Sequence, residues 1–181
     1  TKGPLRVAFT ANYGGRVPVD RETREICARE VRKFEAAGCV VAEAFPDIGP
    51  AEEVFLALRS QHFVVDRELQ MQTHRAQLKP DIVWNTEQGL AGTPSRIAWA
   101  ERERAALFRR FAAFFREWDV LVTPGAASPA WDVMVRARDV VDGKKLDNYI
   151  AGSLLTSAIT LTSCPAVSVP CGFDRSGMPE R

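Results

Sequence analysis

The feature that most constrains the fold is the segment 161–173, an apolar run interrupted by two prolines. Pro165 and Pro170 lack the N–H group that the middle of a sheet needs, so they suit the two ends of a strand. The segment therefore predicts a buried strand at residues 166–169. Residues 149–160 carry no charge and have a helical pattern, which predicts a helix buried within a larger body.

The composition is that of an ordinary globular protein. The chain has 181 residues, 46% hydrophobic and 26% charged, a length that allows one domain or slightly more. Its net charge of +1 argues against a nucleic-acid-binding surface, because neutralising phosphates needs concentrated Lys and Arg. No apolar run approaches the roughly 20 residues that span a bilayer, and no signal segment is visible. We therefore expect a cytoplasmic protein without a nucleic-acid or membrane partner.

The cysteines predict free thiols. Cys27, Cys39, Cys164 and Cys171 have apolar neighbours and form no Cys-x-x-Cys pair. This pattern favours reduced, buried side chains in a cytosolic protein over a disulfide framework.

Residues 1–48 predict a βαβ unit. A strand at 5–10 is followed by a helix that begins at Arg21, with the Asp20 carboxylate as its cap. Gly38 ends that helix, because glycine enters the left-handed conformation without strain. A second strand covers residues 39–45. The two strands are expected to be parallel, with a right-handed crossover.

Residues 49–118 predict a helical middle. One helix covers residues 52–69 with a break near His62, and a short helix covers 82–90. Thr93 can cap a third helix, because Pro94 suits the first helical turn; this helix runs to about residue 117. An aromatic stripe on it predicts a contribution to the core, formed by Phe108, Phe111, Phe115 and Trp118.

Residues 119–181 predict a strand, a helix and a further strand. The first strand, at 120–123, is short and ends at Pro124. A turn is expected at 142–144, which contains an Asp-Gly pair. The uncharged helix and the strand at 166–169 follow.

Several common kinds of site are excluded. His62 and His74 are the two histidines, and neither has Cys, Asp or Glu at the spacing of a metal site. No Gly-x-Ser-x-Gly nucleophile motif is present. Gly14 and Gly15 do not form the dinucleotide fingerprint, and the acidic side chains have the pattern of solvated surfaces. We expect neither a metal nor a cofactor.

Hydroxyl side chains at the ends of apolar strands are the remaining candidates. Thr123 and Pro124 follow one predicted strand, and a Thr/Ser-rich turn that includes Thr156 precedes another. Ligands bind at strand ends in open α/β sheets. These hydroxyl groups either line a pocket or cap the backbone, and both alternatives stay open.

Two motifs resemble the C-terminal half of the amidase signature family. Residues 118–124 read WDVLVTP, and residues 161–173 read LTSCPAVSVPCGF, followed by GMP at 177–179. The corresponding family segments are YDVLLTP, NLTGLPAISVPCGF and GLP. The resemblance covers nearly the whole chain and implies an α/β fold with a mixed central sheet covered by helices.

The resemblance also implies amide hydrolysis through a serine nucleophile. A second serine and a lysine would activate this nucleophile, since a serine hydroxyl is unreactive without a neighbouring base. Backbone N–H groups would stabilise the tetrahedral oxyanion. The implied substrate is a small amide, and a homo-oligomer is possible.

The family's catalytic signature is not found in this sequence. The family places its lysine and a Gly-Gly-Ser-Ser type signature upstream of these motifs. The lysines here lie outside any such context, and Ser128 lacks flanking glycines; the lysines are Lys2, Lys33, Lys79, Lys144 and Lys145. We therefore expect a fragment with no catalytic residue of its own and no amide turnover when alone.

Two departures from the family bear on substrate. Ser153 stands roughly where the A subunit of glutamyl-tRNA amidotransferase has an aspartate, and the region near Trp84 and Asn85 lacks the arginine of that protein. A general amidase is favoured, and the alternatives are a non-catalytic α/β interaction domain and the amidotransferase A subunit. Ser163 also replaces a glycine of the family motif. The candidate substrate-binding residues are Thr123, Pro124, Ser153 and Thr156.

Overall fold

The computed structural model describes residues 3–181, and its centre is a three-stranded parallel sheet. Strand β1 (Arg6–Phe9) lies between β2 (Val40–Glu43) and β3 (Val120–Val122). Val7 is paired with Val41 on one side and with Val120 on the other. Parallel strands with a helical connection between β1 and β2 confirm the α/β class; the division at 48 and 118 stays a prediction.

The connection between β1 and β2 contains helix α1 (Arg21–Glu30) and a short helix α2 (Lys33–Ala36). Gly38 follows α2 with a φ of +85°, as a helix-ending glycine requires. The predicted cap by Asp20 is wrong, since its side chain makes no capping hydrogen bond. Its carboxylate instead accepts hydrogen bonds from Arg138 Nη1 at 2.9 Å and from the Asp142 amide at 3.1 Å. These two donors come from a distant loop and occupy the oxygens that would have capped α1.

Three helices form the middle of the chain: α3 (Ala51–Thr73), α4 (Pro80–Leu90) and α5 (Pro94–Phe114). The predicted break near His62 is wrong, because α3 is continuous. Its apolar residues lie on several faces because α4, α5 and the later helix all pack against it. The cap of α5 is confirmed, as Thr93 Oγ1 accepts a hydrogen bond from the Arg96 amide at 3.2 Å.

The core lies where α3 and α5 meet the residues that follow β1. Its largest buried side chains include Tyr13, Ile48, Leu107 and Phe111. The aromatic stripe of α5 contributes less than predicted, because Phe108 is 53% exposed. Within the described chain, neighbouring elements bury Phe111 but leave Phe108 largely uncovered.

The uncharged segment forms a one-turn 3-10 helix (Ala151–Ser153) and helix α6 (Leu154–Thr160). Leu154, Leu155 and Ala158 are buried, which confirms a buried helix that is shorter than predicted. Before it, β4 (Val140–Val141) and β5 (Lys144–Lys145) form an antiparallel hairpin. The Asp142-Gly143 turn is confirmed, and both residues have positive φ, as tight hairpins require.

The predicted buried strand at 166–169 is wrong for the chain as described. Residues 164–171 form no strand, and the side chains of Val167 and Val169 are 85% and 58% exposed. Within residues 3–181 no neighbouring strand pairs with this segment, so its apolar side chains have no surface to bury against. The chain continues into an antiparallel hairpin of β6 (Gly172–Phe173) and β7 (Pro179–Glu180).

Candidate functional site

A cleft of about 320 Å³ opens beyond the carboxyl end of β3. The loop of small residues 125–128 forms one part of its lining, and the 3-10 turn with the start of α6 forms another. The lining is completed by residues 136–138 and by four further side chains, Trp131, Val141, Leu146 and Tyr149. The position agrees with the general placement of ligand sites at the carboxyl ends of parallel strands.

The loop 125–128 is held by backbone hydrogen bonds. The Gly125 amide donates to the Arg181 carbonyl at 2.7 Å, and the Ala127 carbonyl accepts from the Asp20 amide at 2.7 Å. Pro124 ends β3 because it has no N–H for the sheet. Since the loop carries only Gly, Ala and Ser, its own side chains leave the space in front of it open.

Two of the four predicted site residues line the cleft. Ser153 and Thr156 both contribute to its wall. Thr123 and Pro124 lie just before the lining loop, and Pro124 is buried. The Thr123 Oγ1 atom is buried and has no hydrogen-bond partner among the described residues. A role of these four in substrate binding stays a prediction.

The two cleft hydroxyls also stabilise the backbone. Ser153 Oγ donates to the Ile150 carbonyl at 2.7 Å, and Thr156 Oγ1 donates to the Ser153 carbonyl at 3.0 Å. Each hydroxyl proton is therefore engaged, and the oxygen lone pairs remain as acceptors. The two hydroxyl groups thus both line the cleft and bond to the backbone. Their oxygen atoms can accept a hydrogen bond from an N–H group in the cleft.

Tyr149 supplies a donor that the sequence did not indicate. Its hydroxyl oxygen accepts from Asn85 Nδ2 at 2.6 Å and from Arg59 Nη2 at 3.4 Å. Asn85 is fully buried, and its Nδ2 also donates to the Asp81 carbonyl at 2.7 Å. Because both partners of the hydroxyl are donors, neither of them accepts its proton.

The charges at the cleft are balanced. Arg136 forms a two-point ion pair with Asp81, whose Nε–Oδ2 distance is 2.9 Å, and Arg138 pairs with Asp20 at 2.9 Å. Both guanidinium groups are at the lining, and both are neutralised by a carboxylate. The sequence missed them because residues 131–139 have no clear periodicity, and an acidic partner more than 50 residues away gives no local signal.

No group of three or more His, Cys, Asp or Glu side chains suited to a metal ion occurs within residues 3–181. In the same residues, none of the helices has both the length and the apolar character that crossing a membrane requires. Of the cysteines, only Cys27 is buried; Cys39, Cys164 and Cys171 are partly exposed. The prediction of buried thiols is therefore wrong for three of the four, because their segments lie at the margin of the described core.

The family assignment rests on a match along the chain. The amidase family model matches residues 1–179. The chain belongs to the amidase signature family. This confirms the assignment made from the motifs at 118–124 and 161–173.

Relatives in the family are of two kinds. An acylamidase of Rhodococcus erythropolis is 26% identical over 178 residues, which cover 97% of this chain and 37% of that protein. The A subunit of a glutamyl-tRNA(Gln) amidotransferase from Synechococcus sp. is 41% identical over 80 residues, which cover 44% of this chain and 15% of that protein. The chain thus spans less than two fifths of the length of either relative.

Solved structures share the fold. A bacterial aryl acylamidase of the amidase signature family has a TM-score of 0.82 at 21% identity, covering 98% of this chain and 39% of that protein. A second amidase structure has a TM-score of 0.84 at 22% identity, covering 99% and 41%. At this level of identity the likeness establishes the fold.

Proposed function

We propose that this chain is the C-terminal part of an amidase that hydrolyses the C–N bond of small carboxamides through a serine acyl-enzyme. In this proposal the chain supplies one wall of the substrate cleft and none of the catalytic groups. The family match over residues 1–179 carries the proposal. Among the lysines that the structure describes, none lines the cleft, and Lys2 lies outside the described residues.

The chemistry of the cleft wall suits an uncharged amide. A primary or secondary amide presents an N–H donor and a carbonyl acceptor. The Ser153 and Thr156 oxygens are free to accept from that N–H, and the Tyr149 hydroxyl is free to donate to an oxygen. Since Arg136 and Arg138 are neutralised, the wall has no unpaired charge to select a charged substrate.

The amidotransferase A subunit is the second candidate, because that relative is 41% identical over its shorter match. Ser153 argues against it, since the serine offers no carboxylate for the amino group of glutamine. Glutamine hydrolysis by the longer protein that contains this chain would favour the A subunit. Hydrolysis of neutral amides with no activity on glutamine would favour the amidase. Binding without turnover of either would favour the interaction domain.

The decisive experiment compares the 181-residue chain with a longer protein that contains it. Both are assayed for release of nitroaniline from p-nitroacetanilide, a neutral acyl anilide. We expect turnover by the longer protein, abolished by a serine-directed sulfonyl fluoride, and no turnover by the chain alone. Serine-dependent turnover by the chain alone would contradict the division of labour proposed here.

The role of Tyr149 is tested in the longer protein with Tyr149→Phe. Loss of one hydrogen bond of about 1 kcal/mol lowers kcat/KM by roughly fivefold, and we expect most of the change in KM because the bond is made to the bound substrate. Tyr13→Phe is the matched control, because Tyr13 is fully buried in the core and does not line the cleft. Equal effects of the two substitutions would argue against a contact with substrate.

A cytoplasmic location and a homo-oligomeric state stay predictions.

A further inference from the structure

Two thiols meet where the β6–β7 hairpin packs on α1. Cys27 Sγ and Cys171 Sγ lie 3.8 Å apart, although the residues are 144 positions apart in the chain. Cys27 is buried in α1, and Cys171, directly before β6, is partly exposed. Neither lines the cleft beyond β3. No comparable sulfur–sulfur contact involves Cys39 or Cys164 in the part of the chain that the structure describes.

We propose that Cys27 and Cys171 are a redox-sensitive pair that forms a reversible disulfide and thereby fixes the β6–β7 hairpin to α1. The proposal does not rest on the amidase activity, because neither thiol lines the cleft.

The surrounding contacts hold the two sulfurs together before any bond forms. Thr23 Oγ1 donates to Glu180 Oε1 at 3.1 Å, which joins α1 to β7. Arg175 Nε donates to Glu22 Oε1 at 3.1 Å, which joins α1 to the hairpin turn. A Cβ at Gly172 would lie 3.1 Å from Ile26 Cγ2, so the strand after Cys171 lies close against α1.

The geometry needs only a small adjustment. A disulfide has an S–S distance of about 2.05 Å, so the sulfurs must approach by less than 2 Å from their separation of 3.8 Å. Rotation about the Cα–Cβ bonds of two cysteines moves the sulfurs over distances of this size.

The surroundings of the two cysteines determine which thiol reacts first. Burial raises the pKa of the Cys27 thiol to about 12, and the neighbouring Cys171, Glu180 and Glu30 side chains act in the same direction. A thiol attacks as its thiolate. Cys27 is therefore the poor initial nucleophile, and the accessible Cys171 reacts first.

With glutathione disulfide as the oxidant, the bonds and electrons balance in two steps. The Cys171 thiolate attacks one sulfur of glutathione disulfide, forms a mixed disulfide and releases one glutathione thiolate, which takes up a proton. Cys27 then loses its proton and attacks Cys171 Sγ, so that the Cys27–Cys171 bond forms and the second glutathione leaves. The two protein thiols are oxidised, and one glutathione disulfide is reduced to two glutathione molecules.

The test exposes the full chain to glutathione disulfide, blocks remaining thiols with iodoacetamide and maps tryptic peptides without reduction. We expect residues 25–29 joined to residues 146–175, with fragmentation placing the bond at Cys171 rather than at Cys164. Free thiols fall from four to two, and dithiothreitol restores them. The oxidised chain is expected to unfold a few degrees higher, since the cross-link restricts the unfolded chain.

Variants separate this pair from accidental oxidation. Cys27→Ser and Cys171→Ser should each abolish the cross-link, whereas Cys39→Ser and Cys164→Ser should leave it unchanged. Thermal unfolding of each variant verifies that it folds, and Cys171→Ser is the safer of the first pair because its side chain is partly exposed. A mixed disulfide at Cys171 that never resolves, or a cross-link that forms only in denaturant, would overturn the proposal.

Discussion

Ser163 follows α6 with a φ of +57°, in the left-handed region where a side chain costs about 1–2 kcal/mol. The family motif has glycine at this position of the turn. The Ser163 amide donates to the Thr160 carbonyl at 3.1 Å, so the turn that ends the helix is retained. Ser163 therefore adopts the backbone conformation that favours glycine, although it carries a side chain.

The strain at Ser163 predicts that Ser163→Gly stabilises the chain. Glycine removes the backbone strain, and the free energy gained is larger than the entropic cost of ordering a glycine on folding. We therefore expect a gain of about 0.5–1 kcal/mol in the free energy of unfolding. Urea denaturation measures it. Ser163→Ala is the control and should show no gain, because alanine has the same backbone strain. A gain from alanine as large as that from glycine would exclude strain as the cause.

Glu180 is a buried carboxyl group with a pH-dependent effect on stability. Its side chain is 3% exposed, and burial raises its pKa above the ordinary 4.5, against the opposing hydrogen bond from Thr23. A raised folded pKa means that the folded state favours the protonated group. Its stabilising contribution is therefore complete below about pH 4.5 and is lost as the pH rises through the raised value.

Glu180→Gln should remove that part of the pH dependence. As the pH rises from about 4 to 7, we expect the free energy of unfolding of the parent chain to fall relative to that of the variant. Chemical denaturation at several pH values measures the difference. Glu25→Gln is the control, because Glu25 is exposed on α1 and its pKa is lowered by Arg21. Parallel curves for the parent and Glu180→Gln would contradict the expectation.

The crossing of α3 and α4 depends on a glycine. Gly89 is buried in the last turn of α4, and a Cβ there would collide with the Ser60 carbonyl oxygen of α3. The same Cβ would lie 2.5 Å from Val64 Cγ2. The close approach of the two helices is therefore possible only without a side chain at this position.

Gly89→Ala is expected to lower the free energy of unfolding by about 1–3 kcal/mol. The collision with backbone outweighs the better helix propensity of alanine, and thermal or urea unfolding measures the loss. Gly152→Ala is the matched control, because its Cβ would meet Leu146 Cδ1 at an ordinary 3.5 Å. We expect the control to stay within about 0.5 kcal/mol. A neutral Gly89→Ala would show that the helices can separate without cost.

At the scale of the whole molecule, the segment 165–170 is an apolar feature without a strand partner among the described residues. Val167 and Val169 are exposed in a segment whose sequence is that of a buried strand. Burial of a valine side chain is worth about 1.5–3 kcal/mol. The proposed amidase resolves this conflict if another part of the longer protein covers the segment.

Hydrogen exchange tests that explanation. We expect the amides of Val167 and Val169 to exchange rapidly in the 181-residue chain and at least tenfold more slowly in a longer protein that contains it, because pairing protects amides. The amides of β1 are the internal control and should be protected in both, since this strand is paired on both sides. Rapid exchange of 167 and 169 in the longer protein would mean that the segment is not a strand there either.

Features that depend on a few neighbouring residues could be predicted from the sequence. The three sheet strands follow from short apolar runs, and Gly38, Pro124 and Thr93 mark ends or beginnings of elements because each acts on adjacent backbone groups. The motifs at 118–124 and 161–173 gave the family. Ser153 and Thr156 were named as candidates, and the structure places both at the cleft.

Features that join distant residues were decided by the tertiary structure. The hydrogen bond from Asn85 to Tyr149 spans 64 positions, and the ion pair of Arg138 with Asp20 spans 118. The position of Asp20 before α1 predicts a helix cap, yet its carboxylate accepts hydrogen bonds from Arg138 and the Asp142 amide instead. A side chain selects among the partners that folding brings within hydrogen-bond reach, and local sequence does not contain that information. Residues 166–169 are a second example. Their apolar sequence predicts a strand, but burial of that strand depends on a neighbouring surface that residues 3–181 do not supply.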